Sequence, residues 1–432
     1  MKRIDEIAKK PERRETVIQF GEGGFLRGFA DWMLQKLNDS GIYSGSAVIV
    51  QPIPQGLAEQ LNSQNCLYTH IIRGVEGVET KIIDVVSRCI NPYEDYEAYL
   101  ALADNPDFRF IISNTTEAGI AYSEGDSIGD APPRSFPAKL AALLYRRYKN
   151  GLDGFIVLPC ELIDRNGERL KEIVLRYADD WGLESGFADW LEEKNHFCST
   201  LVDRIVTGYP KGEELRLGYE DRMVNTSEYF HLWVIEGDKQ LADELPFHKI
   251  GLNVIWTDNM EPYRTRKVRI LNGAHTSMVF CGLLNGFETV KSCIDDPDML
   301  EFIKTCIYDE IIPTLDLPKT ELLEYADSVM QRFANPYIRH SLSSIALNSV
   351  SKFKVRVLPS ILEYVRRKGE APKALAKGFG CLLKYYKIGA PDDSPKNVEF
   401  IKNAPLPEIL KNRELWGQDL SFLKDEVAEY AD

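Results

Sequence analysis

The segment Thr16-Val-Ile-Gln-Phe20, followed without a break by Gly21-Glu-Gly-Gly-Phe-Leu-Arg27, constrains this chain more than any other. The β-branched run reads as a buried strand, the glycines as a tight turn, and the apolar spacing from Phe25 to Leu37 as a helix. Gly21 permits the turn, and Gly23 removes a side chain that would block a pyrophosphate. The N–H groups at the start of a helix then attract anions. A strand, a glycine turn and a helix in that order open a dinucleotide-binding sheet. Phe20, Gly21, Glu22, Gly23, Gly24, Phe25, Leu26 and Arg27 are therefore the candidate cofactor cradle. The third glycine of G-x-G-x-x-G falls on Leu26, which predicts a helix set slightly farther from the strand.

The alternation continues. Runs at 47–50, 108–112 and 155–158 read as further central strands, with a helix at 137–148, so the first part predicts a parallel, doubly wound sheet. From about 258 onward long helical patterns take over, as at 267–284 and 297–312. This places a boundary near 255, with a dinucleotide-binding domain over 1–255 and a helical substrate and catalytic domain over 256–432. The stretch 183–250 reads as extra sheet attached to the first. Gln51 stands at the end of the second strand, where an acidic residue usually meets a ribose. With no Lys or Arg beside it to neutralise a 2′-phosphate, NAD is favoured over NADP. Asn114 and Thr115 follow the 108–112 strand, where loops face the cofactor crevice.

Composition removes several classes. With 66 Asp+Glu against 52 Lys+Arg, the net charge of −14 repels phosphate backbones and anionic lipid, so neither nucleic acid nor a membrane surface is an expected partner. An anionic ligand must then be met by local cations. The eight cysteines are scattered and the six histidines lack metal-ligand spacing, so no metal site is expected. No long apolar stretch or secretory leader is visible, and the expected location is the cytoplasm.

The segment Arg266-Lys-Val-Arg-Ile-Leu-Asn-Gly-Ala-His275 carries the chemistry. On an α-helix Lys267, His275 and Asn272 fall near 0°, about 80° and about 140°, so one face can present all three to a small substrate. A partly buried lysine can take the proton of a carbinol while hydride leaves the same carbon, and Asn272 can donate to the developing alkoxide. His275 can orient the hydroxyl. A core histidine and a solvated lysine are the structural alternative.

G-x-G-G-F-x-R at 21–27 together with K-x-x-x-x-N-x-x-H at 267–275 resembles the polyol-specific long-chain dehydrogenase family, of the mannitol dehydrogenase type. Pro159-Cys-Glu-Leu-Ile-Asp-Arg-Asn-Gly167 matches a family segment whose asparagine shares the oxyanion role, which carries over to Asn166. Ser199-Thr-Leu-Val-Asp-Arg-Ile205 places Asp203 near the active site, and Ser351-Lys-Phe-Lys-Val-Arg-Val-Leu-Pro359, after Arg332-Phe-Ala-Asn-Pro336, places Lys352 on the substrate lysine.

The resemblance implies a Rossmann-type, mostly parallel sheet followed by a mainly α-helical domain, and NAD-dependent, metal-independent hydride transfer. Hexitol-specific members carry an Arg and an Asp where this chain has Ser344 and His340. The run Asn335-Pro-Tyr-Ile-Arg-His340 instead looks like the hexuronate branch, which implies a hexuronate or aldonate substrate. Its carboxylate requires a cation, for which Arg339, Lys352 and Arg356 are candidates. A different hexuronate epimer, a hexitol, or a dinucleotide sensor with no use for Lys267 stay open at this point.

Overall fold

The structure, a computed structural model, describes residues 1–116 and 118–431. The chain forms two compact units, Met1–Met260 and Glu261–Asp432. In the first, thirteen strands are described: β1 Glu15–Phe20, β2 Ser46–Val50, β3 Tyr68–Gly74, β4 Gly77–Ile83, β5 Val86–Ile90, β6 Phe110–Ser113, β7 Ile156–Pro159, β8 His196–Phe197, β9 Ser199–Asp203, β10 Val206–Gly208, β11 Asn225–Ser227, β12 Leu232–Glu236 and β13 Val254–Thr257.

Six of them form a sheet in the order β5-β2-β1-β6-β7-β8, parallel throughout. Chain order runs outward from β1 to β2 and β5, then restarts beside β1 at β6. That reversal creates the crevice at which open α/β sheets bind ligands. The four inner strands, β2, β1, β6 and β7, are largely buried on both faces, as parallel strands covered by helices must be, and this is why they read as mainly apolar runs, with the buried Gln19 of β1 an exception. One face packs Val17, Ile49, Phe110 and Trp233, the other Ile18, Val48, Ile111 and Leu140. The helix Phe136–Lys149 starts at Ser135, whose Oγ accepts from the Ala138 N–H, and its second residue is Pro137. The stretch 183–250 supplies β8 to this sheet and strands to two smaller ones, β10-β11-β3-β4 and β13-β12-β9. The unit extends to Met260 because β13 pairs with β12, and the Met260 N–H then bonds Glu236 Oε2 at 2.6 Å.

Three expected helices differ in detail. The one predicted across 25–37 is a single turn, Gly24–Arg27, and a second helix, Ala30–Asp39, separated at Gly28 and Phe29. The second unit is helical, with no strand among its described residues. Its helix predicted across 267–284 is a wider π turn over Lys267–Asn272 that passes into an α-helix, Gly273–Leu284. Likewise 297–312 is an α-helix, Pro297–Lys304, that widens to a π turn over Thr305–Ile311. No helix among the described residues is long and apolar enough to cross a membrane.

Candidate active site

The glycine loop is built by close approach. Gly21 has φ +117°, and a Cβ there would stand 2.8 Å from the Asn114 carbonyl oxygen, so β1 can turn beside β6 only with glycine. Gly23 is exposed, and a Cβ there would meet nothing within 4 Å. The loop therefore presents open space over its second glycine, the room a pyrophosphate needs. Gly24 packs against Asn225, whose Nδ2 donates to the Gly24 carbonyl at 2.8 Å. Leu26 is buried, and the intimate contact expected of a third glycine is made instead at Gly28, where a Cβ would meet Asn225 Nδ2 at 2.8 Å and His70 and Val206 at 3.0 Å. Because the first helical turn is only four residues long, its dipole is small, and the loop N–H groups carry the attraction for anions.

The side chains of this segment mostly shape it. Phe20 is fully buried against Tyr99 and Phe136, and Phe25 stacks on Phe29. Arg27, also buried, donates through Nε to the Glu22 carbonyl at 3.0 Å and through Nη1 to the Met223 carbonyl at 2.6 Å. Behind the loop, Tyr68 donates its hydroxyl to the Arg27 carbonyl at 2.8 Å and to Asp31 Oδ2 at 3.1 Å. Burial pushes the Asp31 carboxyl up to about 7. Gln51 is buried and occupied: Nε2 donates to the Ile53 and Pro54 carbonyls, and Oε1 accepts from the Ala58 N–H. Asn114 Nδ2 donates to the Cys160 carbonyl, while Thr115 donates from both N–H and hydroxyl to Glu161 Oε1. Glu161 thereby anchors the loop after β6, and burial raises its proton affinity.

Asn166 has a structural duty that sequence spacing did not reveal. It is fully buried, its Nδ2 lies within 3.1 Å of the Pro159, Glu161 and Thr200 carbonyls, and its Oδ1 accepts from the Gly167 and Thr200 N–H groups. An amide with two N–H bonds so placed ties the end of β7 to the start of helix Asn166–Asp180 and to β9, and has no donor left for an oxyanion. Asp203 ends β9, buried, opposite Leu232. Its neighbour Arg204, which sequence reading passed over, donates to the Gly28 and Glu228 carbonyls and lies 3.9 Å from the Trp32 ring centre. Burial lowers that guanidinium to about 9. Its signal was present: an arginine inside an apolar strand pattern needs buried acceptors.

In the second unit, Lys267 and Asn272 are half-buried and His275 is buried. A π turn closes through i→i+5 and advances about 82° per residue, so Asn272 lies about 50° round from Lys267, and His275 within about 10° of it. The widened turn therefore draws the three onto one face more tightly than an α-helix would. Arg269 secures it, donating to Ser360 Oγ at 2.5 Å and Thr314 Oγ1 at 3.1 Å. The Asn272 side-chain amide makes no hydrogen bond with another described residue, so it is available to a ligand. His275 packs between Phe333, 4.5 Å away, and His340, 4.7 Å away and edge-on. Burial lowers the proton affinity of His340, and the charge of Arg332 lowers it further.

The three candidate cations separate clearly. Arg339 is 84% exposed and faces Glu288 at 3.6 Å. Lys352 donates to the Ile345 carbonyl at 2.8 Å. Arg356 is half-buried, its guanidinium has neither ion pair nor hydrogen bond among the described residues, and burial lowers its proton affinity. Its helix, Ser349–Arg356, lies against the Lys267–Leu284 segment: a Cβ on Gly273 would stand 3.0 Å from the Arg356 carbonyl oxygen. Among the described residues no three His, Cys, Asp or Glu side chains gather as a metal-binding set.

Known proteins share this plan. The family model described as mannitol dehydrogenase Rossmann domain matches residues 15–249, and that described as mannitol dehydrogenase C-terminal domain matches 259–427. The altronate oxidoreductase of Yersinia enterocolitica is 48% identical over 386 residues, covering 86% of this chain and 80% of the relative. That of Escherichia coli is 48% identical over 393 residues, 88% of this chain and 81% of its own. A substrate-free crystal structure of D-sorbitol dehydrogenase superposes with a TM-score of 0.83 at 22% identity, covering 100% of this chain and 97% of the other. Mannitol 2-dehydrogenase of Pseudomonas fluorescens, in ternary complex with NAD and D-mannitol, has a TM-score of 0.67 at 22% identity over 97% of this chain and 91% of its own. At that identity the two structures speak for the fold.

Proposed function

This chain belongs to the mannitol dehydrogenase family, and from that premise we propose that it interconverts a hexuronate and an aldonate: D-tagaturonate + NADH + H⁺ ⇌ D-altronate + NAD⁺. The observation that carries the reading is the unpaired, half-buried guanidinium of Arg356 on a helix packed against the segment bearing Lys267, Asn272 and His275. A hexitol offers such a cation only neutral hydroxyl oxygens, whereas a carboxylate brings the opposite charge and takes it bidentately. The relatives named altronate oxidoreductase support the same substrate class.

The residues of the first unit fit a dinucleotide: Gly21 makes the turn and Gly23 leaves the cradle open. NAD, when bound there, supplies the hydride acceptor or donor. Toward the sugar, Asn272 donates its amide N–H to the carbonyl oxygen as negative charge develops on it. Lys267 delivers the proton to that oxygen during reduction and removes it during oxidation. His275, held in place by Phe333 and His340, orients the same oxygen. Arg356 fixes the far end of the chain through its carboxylate, with Lys352 adding positive charge beside it. Asn272, Lys267 and His275 thus act at the same oxygen, and the H⁺ of the equation recharges Lys267 from solvent between turnovers.

The test is consumption of NADH with tagaturonate, with fructuronate, and oxidation of altronate against mannitol. The expected result is turnover of tagaturonate and altronate. Rapid oxidation of mannitol with altronate ignored would overturn the uronate reading, and exclusive use of fructuronate would replace the epimer.

A further inference from the structure

In a sheet of this topology an acidic side chain at the end of the second strand normally receives the adenosine ribose hydroxyls of a dinucleotide. Here that place holds Gln51, and its amide is consumed by the carbonyls of Ile53 and Pro54 and the N–H of Ala58. No lysine or arginine occurs from 51 to 58. A carboxylate nevertheless reaches the same spot from the neighbouring loop. Glu22, between the glycines that follow β1, extends to the segment after β2, where its Oε1 accepts the Leu57 N–H at 3.3 Å. Gly56 marks how closely the two side chains converge, since a Cβ there would lie 2.2 Å from Glu22 Oε1 and 2.4 Å from Gln51 Oε1. Glu22 Oε2 makes no hydrogen bond to another described residue. The nearest guanidinium, Arg27, is turned to the Glu22 and Met223 carbonyls and lies 5.1 Å from the Tyr68 ring centre, so it neutralises nothing at this spot by contact.

We propose that Glu22 is the coenzyme-selecting residue of this chain, its carboxylate accepting a hydrogen bond from the adenosine ribose 2′-hydroxyl and repelling a 2′-phosphate. The acidic function found elsewhere at the end of the second strand has moved into the glycine turn, and Gln51 serves as the strut that holds the 51–58 loop against it. One geometry explains both substitutions: the strand end is spent on the loop, and the loop offers its N–H to the carboxylate. This rests on the dinucleotide reading of the glycine loop given above.

The test titrates purified wild type, Glu22→Gln and Glu22→Asp with NADH and with NADPH by nucleotide fluorescence, with kcat/KM for each coenzyme measured in parallel. Wild type is expected to bind NADH at least tenfold more tightly. Glu22→Gln keeps an oxygen for the Leu57 N–H but loses the charge, and should narrow that preference by roughly ten- to hundred-fold, mainly through stronger NADPH binding. Glu22→Asp keeps the charge and should keep the discrimination while weakening NADH several-fold. Equal weakening of both coenzymes in Glu22→Gln would make Glu22 only a pin for the loop, and equal binding of both by wild type would leave it nothing to select. Either result overturns the proposal while leaving the dinucleotide site intact. Should Glu22→Gln not fold, loss of discrimination in Glu22→Asp is itself sufficient to overturn it. Wild type that binds neither nucleotide removes the loop reading as well.

Discussion

A single backbone oxygen decides how strictly the sequence is bound at the glycine turn. At Gly21 a methyl group would meet a backbone oxygen at 2.8 Å while forcing φ +117° on a residue with a side chain. Gly21→Ala should therefore cost about 1–3 kcal/mol of stability and weaken NADH binding at least tenfold, as thermal unfolding and a nucleotide titration would show. Retained affinity would mean that the loop can turn another way. The cations make the opposite kind of statement, because their chemistry is the same and only their surroundings differ. Arg356→Ala should raise KM for the uronate about ten- to hundredfold, the value of a charge-assisted bidentate pair, whereas Arg339→Ala should change it less than twofold. Steady-state kinetics on the two variants separates them, and the reverse ranking would move the carboxylate away from the catalytic segment.

At the scale of elements, function in the second unit depends on how one helix leans on another. Gly273 opens the α-helical part of the catalytic segment, and the Arg356 carbonyl lies 3.0 Å from where its Cβ would be. Gly273→Ala should push the Ser349–Arg356 helix outward, raising uronate KM about tenfold at a stability cost of about 1–2 kcal/mol, with NADH affinity unchanged. A parallel loss of NADH affinity would count against this picture. Such elements differ in how far the sequence announced them. β1, β2, β6 and β7 were legible because strands covered on both faces are apolar at most positions rather than at alternate ones, and the helix Phe136–Lys149 because Ser135 and Pro137 mark its start. The break at Gly28–Phe29 and the π turn at Lys267–Asn272 were not, since an apolar spacing read at 100° per residue does not register one residue more or fewer in a turn. Strands such as β8, β10 and β11 are two or three residues long and exist through long-range pairing, which no local pattern records. Asn166 was found by its motif, but the five contacts that consume its amide come from three separated segments.

For the whole molecule, the buried titratable groups of the first unit set opposing slopes of stability against pH. Asp31 titrates at about 7 in the fold against its ordinary 3.8, so between these values the folded state holds a proton that the unfolded chain has lost, and stability falls as pH rises. His231 behaves in the contrary sense. Burial, with the charge of Arg204, lowers it to about 4, so from there to 6.5 the unfolded chain binds the extra proton and stability rises with pH. His70, buried and hydrogen-bonded to Ser227, adds to the rising slope. Between about 4 and 6.5 one falling contribution meets two rising ones, so the net slope of these three groups rises with pH, and above about 6.5 only the fall from Asp31 remains, up to about 7. Asp31→Asn preserves an acceptor for the Tyr68 hydroxyl and removes only the charge. Its stability relative to wild type should therefore climb from about pH 4 to about pH 7 and level off above, with a total on the order of a few kcal/mol. Chemical denaturation of both proteins across that range measures the difference directly. A difference independent of pH would mean that Asp31 is already ionised in the fold, and that the network behind the glycine loop holds a charge rather than a proton.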